Sequence, residues 1–164
     1  MTVSSSLIKT IVLFPLNVMG VIPFVILWFS GKIELYQVVL LPTCLGLFFF
    51  IVGLWVCWVT VSIFTDYGKG TPAPWAPPKI LIGIGLYKYV RNPMMLGVWC
   101  VLLGEAVFFL SVGLFLWFLI FFTGSLIIIP LWEEVDLGRR FGEPYLEYKK
   151  QVPRWVPRIF FRDG

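Results

Sequence analysis

Three long apolar runs dominate the pattern of hydrophobic and polar positions, at residues 7–29, 35–64 and 94–132. One transmembrane helix needs about 20 apolar residues, so the first two runs predict one span each. The third run is too long for one helix and is interrupted at Leu110-Ser111-Val112-Gly113. The pattern therefore predicts an all-α integral membrane protein with four transmembrane helices, the last two forming a tight hairpin.

The composition supports one membrane domain. Of 164 residues, 59% are hydrophobic and 13% are charged, far from the averages of soluble domains. We expect a single domain over residues 1–164, with two spans in 1–64, a cytoplasmic loop in 65–93, and the hairpin with a C-terminal segment in 94–164. A cleaved signal peptide is the competing interpretation of the N-terminus. The length of the first run, Pro15 and Pro23 argue against it.

The basic residues predict the orientation in the membrane. They cluster between spans two and three and again after span four, and Lys and Arg mark the cytoplasmic side. With four spans, both clusters and Lys9 lie on one face, and of the 13 basic residues only Lys32 falls outside it. Both termini should therefore be cytoplasmic. Anionic headgroups account for the net charge of +4, so membrane lipids are expected partners and nucleic acid is not.

The residue types present exclude several chemistries. The chain has no histidine, which rules out a histidine-ligated zinc or haem and a triad with an imidazole base. Cys44, Cys57 and Cys100 lie in apolar runs without paired spacing, so packing is the expected role and no metal site is predicted.

Glycine, glutamate and proline positions inside and between the spans predict local structure. Gly46 and Gly53, at i and i+7, predict a close approach between helices. Trp55 and Trp58 either face lipid or line a pocket, and packing within the chain is favoured. Glu105 places a carboxyl in the third run, where it faces either a partner or cavity, or reaches the opposite interface. Four prolines within residues 72–78 predict extended backbone, either a linker or a lid anchored by Trp75.

The stretch GLYKYVRNPMMLG, residues 85–97, gathers aromatic, basic and amide side chains between two apolar blocks. Pro93 suits the first turn of span three, Asn92 is a natural N-cap and Arg91 lies just outside the helix. After Pro130, Glu133 and Glu134 should lie level with Arg91 and Asn92 across the hairpin. They form either a solvated helix end or a polar pocket for a cationic or polyhydroxylated ligand.

The C-terminal residues predict a cytoplasmic amphipathic helix. Phe141, Tyr145 and Tyr148 fall at i, i+4 and i+7 and would make one aromatic stripe. The helix would either lie on anionic lipid or cover a pocket.

GLYKYVRNPMMLG together with EEVDLGRRFGEPYLEYKKQVPRWVP resembles the isoprenylcysteine carboxyl methyltransferase family, and more broadly its relatives that methylate phospholipid amines. The resemblance extends over residues 79–157, close to half of the chain. It implies an S-adenosylmethionine-dependent membrane methyltransferase whose cofactor lies in a cytoplasm-facing pocket covered by the C-terminal segment. A lipophilic substrate would arrive through the bilayer.

The resemblance also implies the site residues. Arg91 and Glu134 are expected to be catalytic, and the expected cofactor-binding residues are Lys79, Ile80, Leu81, Ile82, Tyr87, Asn92 and Glu133. Ile129 stands where eukaryotic members have an arginine implicated in handling the substrate carboxylate, which argues against prenylcysteine itself. Either Arg91, the best candidate, or an arginine of the C-terminal residues takes that role, or the acceptor differs. Met95 replaces a tyrosine of the family pattern.

The chemistry favours a carboxylate acceptor. Methyl transfer from a sulfonium is an in-line displacement, and a carboxylate is already ionised at neutral pH, so the protein needs mainly to align the reactants and exclude water. Methylation of a phospholipid amine would need a proton acceptor and is the alternative. A non-catalytic membrane protein that keeps the fold is the other alternative.

Overall fold

A computed structural model describes residues 15–31, 39–68 and 78–158, which contain helices and no β-strand. A 3₁₀ turn, Gly85–Lys88, precedes the hairpin. In chain order the described helices are α1 (Asn17–Phe29), α2 (Leu40–Asp66), α3 (Pro93–Phe108), α4 (Val112–Ile128), α5 (Glu134–Phe141) and α6 (Glu143–Gln151).

Two described helical runs are long and apolar enough to cross a membrane, Leu40–Asp66 and Val112–Phe141, the second of which joins α4 to α5. Helices α1 and α3 are apolar but shorter. The all-helical, membrane-type architecture is therefore supported, and the count of four spans stays a prediction. Trp55 and Trp58 are exposed on α2, so the expected packing of these side chains within the chain is wrong.

Helices α2 and α3 approach through glycines spaced by seven residues on each helix. A Cβ atom added to Gly53 would lie 2.6 Å from the carbonyl oxygen of Gly97, and one added to Gly46 would lie 2.6 Å from the backbone nitrogen of Phe108. A Cβ atom on Gly104 would in turn lie 2.8 Å from the carbonyl oxygen of Gly46. The close approach predicted at Gly46 and Gly53 is confirmed, and it holds α3 directly against the longest helix.

The hairpin between α3 and α4 is as tight as the sequence predicts. Leu110 adopts a left-handed conformation with φ 48°. The N–H of Ser111 donates to the carbonyl of Ala106 at 3.1 Å and that of Leu110 to Val107 at 3.3 Å, which is the Schellman pattern of a helix end. Ser111 then caps α4, because its hydroxyl accepts from the N–H of Leu114 at 3.4 Å.

Helix α1 packs against the hairpin. Leu27 of α1 forms a buried apolar cluster with Ala106 and Leu114. The indole N–H of Trp117 donates to the carbonyl of Val18 at 3.1 Å, within the π-helical turn that opens α1. The apolar contacts of α1 lie near the turn of the hairpin, whereas the polar residues Arg91 and Glu134 lie at its opposite end.

A second π-helical turn, Ile129–Glu133, surrounds Pro130. Proline has no N–H and its ring clashes with the carbonyl four residues earlier. The turn widens accordingly, and the N–H of Glu134 bonds to the carbonyl of Ile129, five residues back. As the chain leaves this turn, Glu134 is buried and Glu133 is exposed.

The predicted single C-terminal helix is wrong, because the chain breaks at Gly142. This residue has φ 60°, a conformation that glycine adopts without strain. Helix α5 ends before it, and α6 starts after it with a proline in its first turn. Phe141 and Tyr145 therefore lie on different helices, so the predicted aromatic stripe does not form one face of a helix.

Candidate functional site

The C-terminal segment, which we define as residues 143–158, lies along the loop segment, residues 79–92. The N–H of Arg91 donates to the carbonyl of Pro153 at 2.9 Å, and that of Arg158 donates to Tyr89, also at 2.9 Å. The Tyr148 hydroxyl donates to the carbonyl of Tyr87 at 2.7 Å. Backbone groups of the loop segment that no helix satisfies are thus paired with the C-terminal segment.

Glu134 forms the electrostatic centre of this contact. Its Oε1 accepts from Arg91 Nη1 at 2.6 Å and from Arg154 Nε at 2.6 Å. Its Oε2 accepts from Arg154 Nη2 at 2.9 Å and lies 3.0 Å from Lys149 Nζ. The side chains of Glu134 and Arg91 are only 4% and 9% exposed. We call these four residues the Glu134 cluster; it ties the loop, the end of the hairpin and the C-terminal segment together.

The cluster carries more positive than negative charge. Three cations, Arg91, Lys149 and Arg154, share one carboxylate. Hydrogen bonding to Glu134 raises the pKa of Arg154, so this guanidinium stays charged. Because both carboxylate oxygens of Glu134 are occupied by cations, the geometry favours a positioning role for this residue.

An aromatic contact anchors the far end of the C-terminal segment. The rings of Trp155 and Trp99, on α3, have centroids 4.7 Å apart. The indole N–H of Trp99 donates to the hydroxyl of Ser125 at 3.0 Å, and its ring also meets Phe122 at 4.5 Å. The segment is therefore held against both helices of the hairpin.

A cavity of about 350 Å³, widely open to its surroundings, lies between the loop segment and the C-terminal segment. Its walls are Gly83, Lys88, Tyr148, Gln151 and Val152. Gly83 faces the Tyr148 ring, since an added Cβ would lie 3.7 Å from it. Lys88 forms no ion pair with any residue that the structure describes. The cavity thus combines a cation, an amide and an aromatic wall.

The tyrosines beside the cavity are protonated at neutral pH. Burial raises the pKa of Tyr87, and the negative charge of Glu133 raises it further. Burial also raises the pKa of Tyr148, and the charge of Arg91 offsets this only in part. The hydroxyl groups therefore act as hydrogen-bonding groups and not as bases. The influence of Glu133 on Tyr87 also places that carboxylate within electrostatic reach of the loop segment.

The expected cofactor-binding residues occupy different environments. Lys79 and Ile80 are exposed, Leu81 is half-buried, and Ile82 and Tyr87 are buried. Their assignment to a cofactor stays a prediction.

Asn92 is at the N-cap position of α3, but its side chain makes no capping hydrogen bond, so the predicted capping contact is absent. The structure brings Arg91 and Glu134 into contact, whereas Glu133 is exposed.

The expectation for Glu105 can be compared with the structure, whereas most of the expectation for the proline-rich segment cannot. One carboxyl oxygen of Glu105, Oε2, is buried and has no hydrogen-bond partner in the described part of the chain, which argues against a side chain that reaches the interface. Most of the proline-rich segment, including Trp75, lies outside the described residues. At its described end, the carbonyl of Pro78 accepts from Arg140 NH2 at 2.5 Å.

Sequence reasoning missed the roles of Lys149, Arg154 and Trp155. The available signal was the concentration of basic residues near the end of the chain, which the sequence analysis connects with orientation and with the acceptor's carboxylate but not with Glu134. A buried glutamate needs nearby cations, and this segment contains them.

Comparison with known proteins gives partial matches. No family model matches the chain. Methanethiol S-methyltransferase 2 from Bradyrhizobium diazoefficiens is 39% identical over 77 residues, which are 47% of this chain and 29% of that protein. Protein-S-isoprenylcysteine O-methyltransferase from Schizosaccharomyces pombe is 36% identical over 86 residues, 49% of this chain and 34% of that protein. The matches span about a third of the length of these relatives.

Proposed function

We propose that this protein is an integral membrane methyltransferase that uses S-adenosylmethionine and methylates a small lipophilic acceptor, with a carboxylate as the acceptor group. The observation that carries the proposal is the cavity between the loop segment and the C-terminal segment, the two parts that the resemblance assigns to the cofactor pocket. The partial similarity to two methyltransferases supports the same reaction class.

The residues that line the cavity offer groups suited to the cofactor, and none of the expected cofactor-binding residues is among them. Its volume of about 350 Å³ falls in the range of roughly 300–1,000 Å³ found for ligand pockets. Lys88 offers a cation for a carboxylate, Gln151 offers an amide for hydroxyl or base groups, and Tyr148 offers an aromatic face. When bound, S-adenosylmethionine would supply an electrophilic methyl group on a sulfonium.

Residues of the chain itself exclude water and position the reactants. The C-terminal segment covers the loop segment and limits the access of water, while the Glu134 cluster fixes its position. A carboxylate acceptor needs no base, which suits a site whose tyrosines remain protonated. The excess positive charge of the cluster favours an anionic acceptor and disfavours a phospholipid ammonium group.

A thiol is the second candidate acceptor, favoured by the similarity to a methanethiol S-methyltransferase. The thiolate is the nucleophilic form, and neighbouring cations lower the pKa of a thiol. The Glu134 cluster offers such cations.

The proposed topology has four spans and cytoplasmic termini. Contact between Arg91 and Glu134 brings the loop after α2 and the end of α4 together, as expected if both lie on one membrane face. A green fluorescent protein fused after residue 164 should fluoresce in bacteria, whereas a periplasmic phosphatase fused there should be inactive. The reverse pattern would refute the topology.

The full chain, purified in detergent, tests the function. Calorimetric titration should detect binding of S-adenosylmethionine and of its demethylated product. A radioactive methyl group should pass to a lipophilic carboxylate such as decanoate, or to decanethiol, but not to phosphatidylethanolamine. We expect Glu133→Ala to abolish cofactor binding and Glu105→Ala to retain it. Absence of binding and transfer by the wild-type protein would refute the proposal.

A further inference from the structure

The end of the C-terminal segment combines positive charge with apolar side chains. Residues 149–158 contain four basic residues and no acidic one, whereas residues 133–147 contain five acidic and two basic ones. Lys149 and Arg154 are engaged by Glu134. Arg158 is exposed and forms no ion pair with any residue that the structure describes. A free cation therefore follows directly after the apolar run Trp155-Val156-Pro157.

The contact between Trp155 and Trp99 shows how far this end of the chain reaches along the hairpin. The two ring centroids are 4.7 Å apart. Trp99 lies six positions after Pro93, the first residue of α3, which corresponds to about 9 Å along the helix axis. Each headgroup layer of a bilayer is roughly 5–8 Å thick. If α3 starts at the cytoplasmic surface, Trp155 lies where headgroups meet acyl chains, a level at which tryptophan is enriched.

The residues after Trp155 expose their side chains between two fixed points. Val156 is 76% exposed, and Pro157 is exposed as well. The backbone of Arg158 is held, because its N–H donates to the carbonyl of Tyr89 at 2.9 Å. An apolar surface with cations beside it is the composition with which interfacial segments bind anionic membranes.

We propose that residues 155–158, which we call the tip, dock on anionic phospholipids of the bilayer that surrounds the hairpin. The apolar side chains enter the headgroup region, and the guanidinium of Arg158 binds lipid phosphate. The tip continues the segment that forms one wall of the cavity, so a negatively charged bilayer surface holds that wall in place. The docking requires the membrane setting and is independent of the proposed methyl transfer.

Labelling of the variant Val156→Cys tests the docking in the full chain. The variant is placed at one copy per nanodisc, in phosphatidylcholine alone or mixed with phosphatidylglycerol, and is treated with an uncharged polyethylene glycol maleimide. The wild type measures background labelling of the native cysteines, which lie in the apolar runs. We expect labelling at least about fivefold slower in the anionic mixture, the factor expected from the attraction of one basic residue to an anionic surface. High salt should remove this difference, because it screens exposed charges.

Three matched variants serve as controls. Arg158→Gln, added to Val156→Cys, should give equal labelling in both lipids, whereas Arg139→Gln, which removes an exposed cation outside the tip, should preserve the difference. Glu143→Cys, exposed at the start of α6, should react equally in both lipids.

The proposal is overturned if Val156→Cys reacts equally in the two lipids, whether fast or slow. A difference that persists in Arg158→Gln, or that also occurs at Glu143→Cys, would overturn it as well. Protection that occurs only in discs with two copies would assign the surface to a second chain instead of lipid.

Discussion

Replacing Glu134 by glutamine removes the one negative charge of the Glu134 cluster while keeping the size of the side chain. Arg91 is 9% exposed and loses its counter-ion at 2.6 Å. Breaking a buried ion pair by removing one partner costs about 3–5 kcal/mol, because the remaining charge stays desolvated. Arg154 and Lys149 are 30% and 42% exposed, and solvent screens them, so each adds only about 0–1 kcal/mol.

The expected loss is therefore about 3–5 kcal/mol and comes mainly from Arg91. Thermal unfolding in detergent, followed by far-ultraviolet circular dichroism, should show a melting temperature about 6–20 °C lower. Release of the C-terminal segment should also speed tryptic cleavage after Lys149 and Arg154 under native conditions. The segment is then lost before the hairpin unfolds.

Glu147→Gln is the matched control. It removes the partner of Lys150 in an exposed ion pair of 2.9 Å, which is worth about 0–1 kcal/mol. The double variant Glu134→Gln with Arg91→Gln should recover part of the loss, since no buried charge then remains unpaired. The reasoning is refuted if Glu134→Gln melts and is cleaved like Glu147→Gln.

Three further substitutions test the packing of the hairpin. Gly53→Ala should destabilise by about 1–3 kcal/mol, because its Cβ would lie 2.6 Å from a carbonyl oxygen of α3. In the control Gly124→Ala nothing lies within 4 Å of the added Cβ, so stability should stay the same or rise by up to about 1 kcal/mol, and equal melting temperatures of the two variants would contradict the expectation. Trp155→Ala removes the contact with Trp99 and should cost about 0.5–1.5 kcal/mol beyond the area lost. Tryptic cleavage of the C-terminal segment should accelerate, and an unchanged rate would count against this anchor. Ser111→Ala should lower stability by about 1 kcal/mol in thermal unfolding, whereas an unaltered transition would mean that the cap is dispensable.

Local chemistry determined much of the helical layout. A long apolar run predicts a helix, because only a helix satisfies its backbone groups internally. The break before Ser111 was visible because a polar N-cap and a glycine interrupt an apolar pattern. Gly46 and Gly53 predicted a close approach because their spacing places both on one face. The break at Gly142 also had a local signal, glycine followed shortly by Pro144, whereas the spacing of the aromatic residues indicated one continuous helix.

The tertiary structure alone decided which polar groups meet. Glu133 and Glu134 are adjacent in the sequence, but after the π-helical turn at Pro130 Glu134 is buried and Glu133 is exposed. The partners of Glu134, Arg91 and Arg154, are far away in the sequence, and no local propensity specifies such a contact. Ion pairing and donor satisfaction depend on distance and burial in three dimensions. For that reason the sequence identified Arg91 as a candidate, while the fold decided that one of its nitrogens binds Glu134 and another has no partner in the described part of the chain.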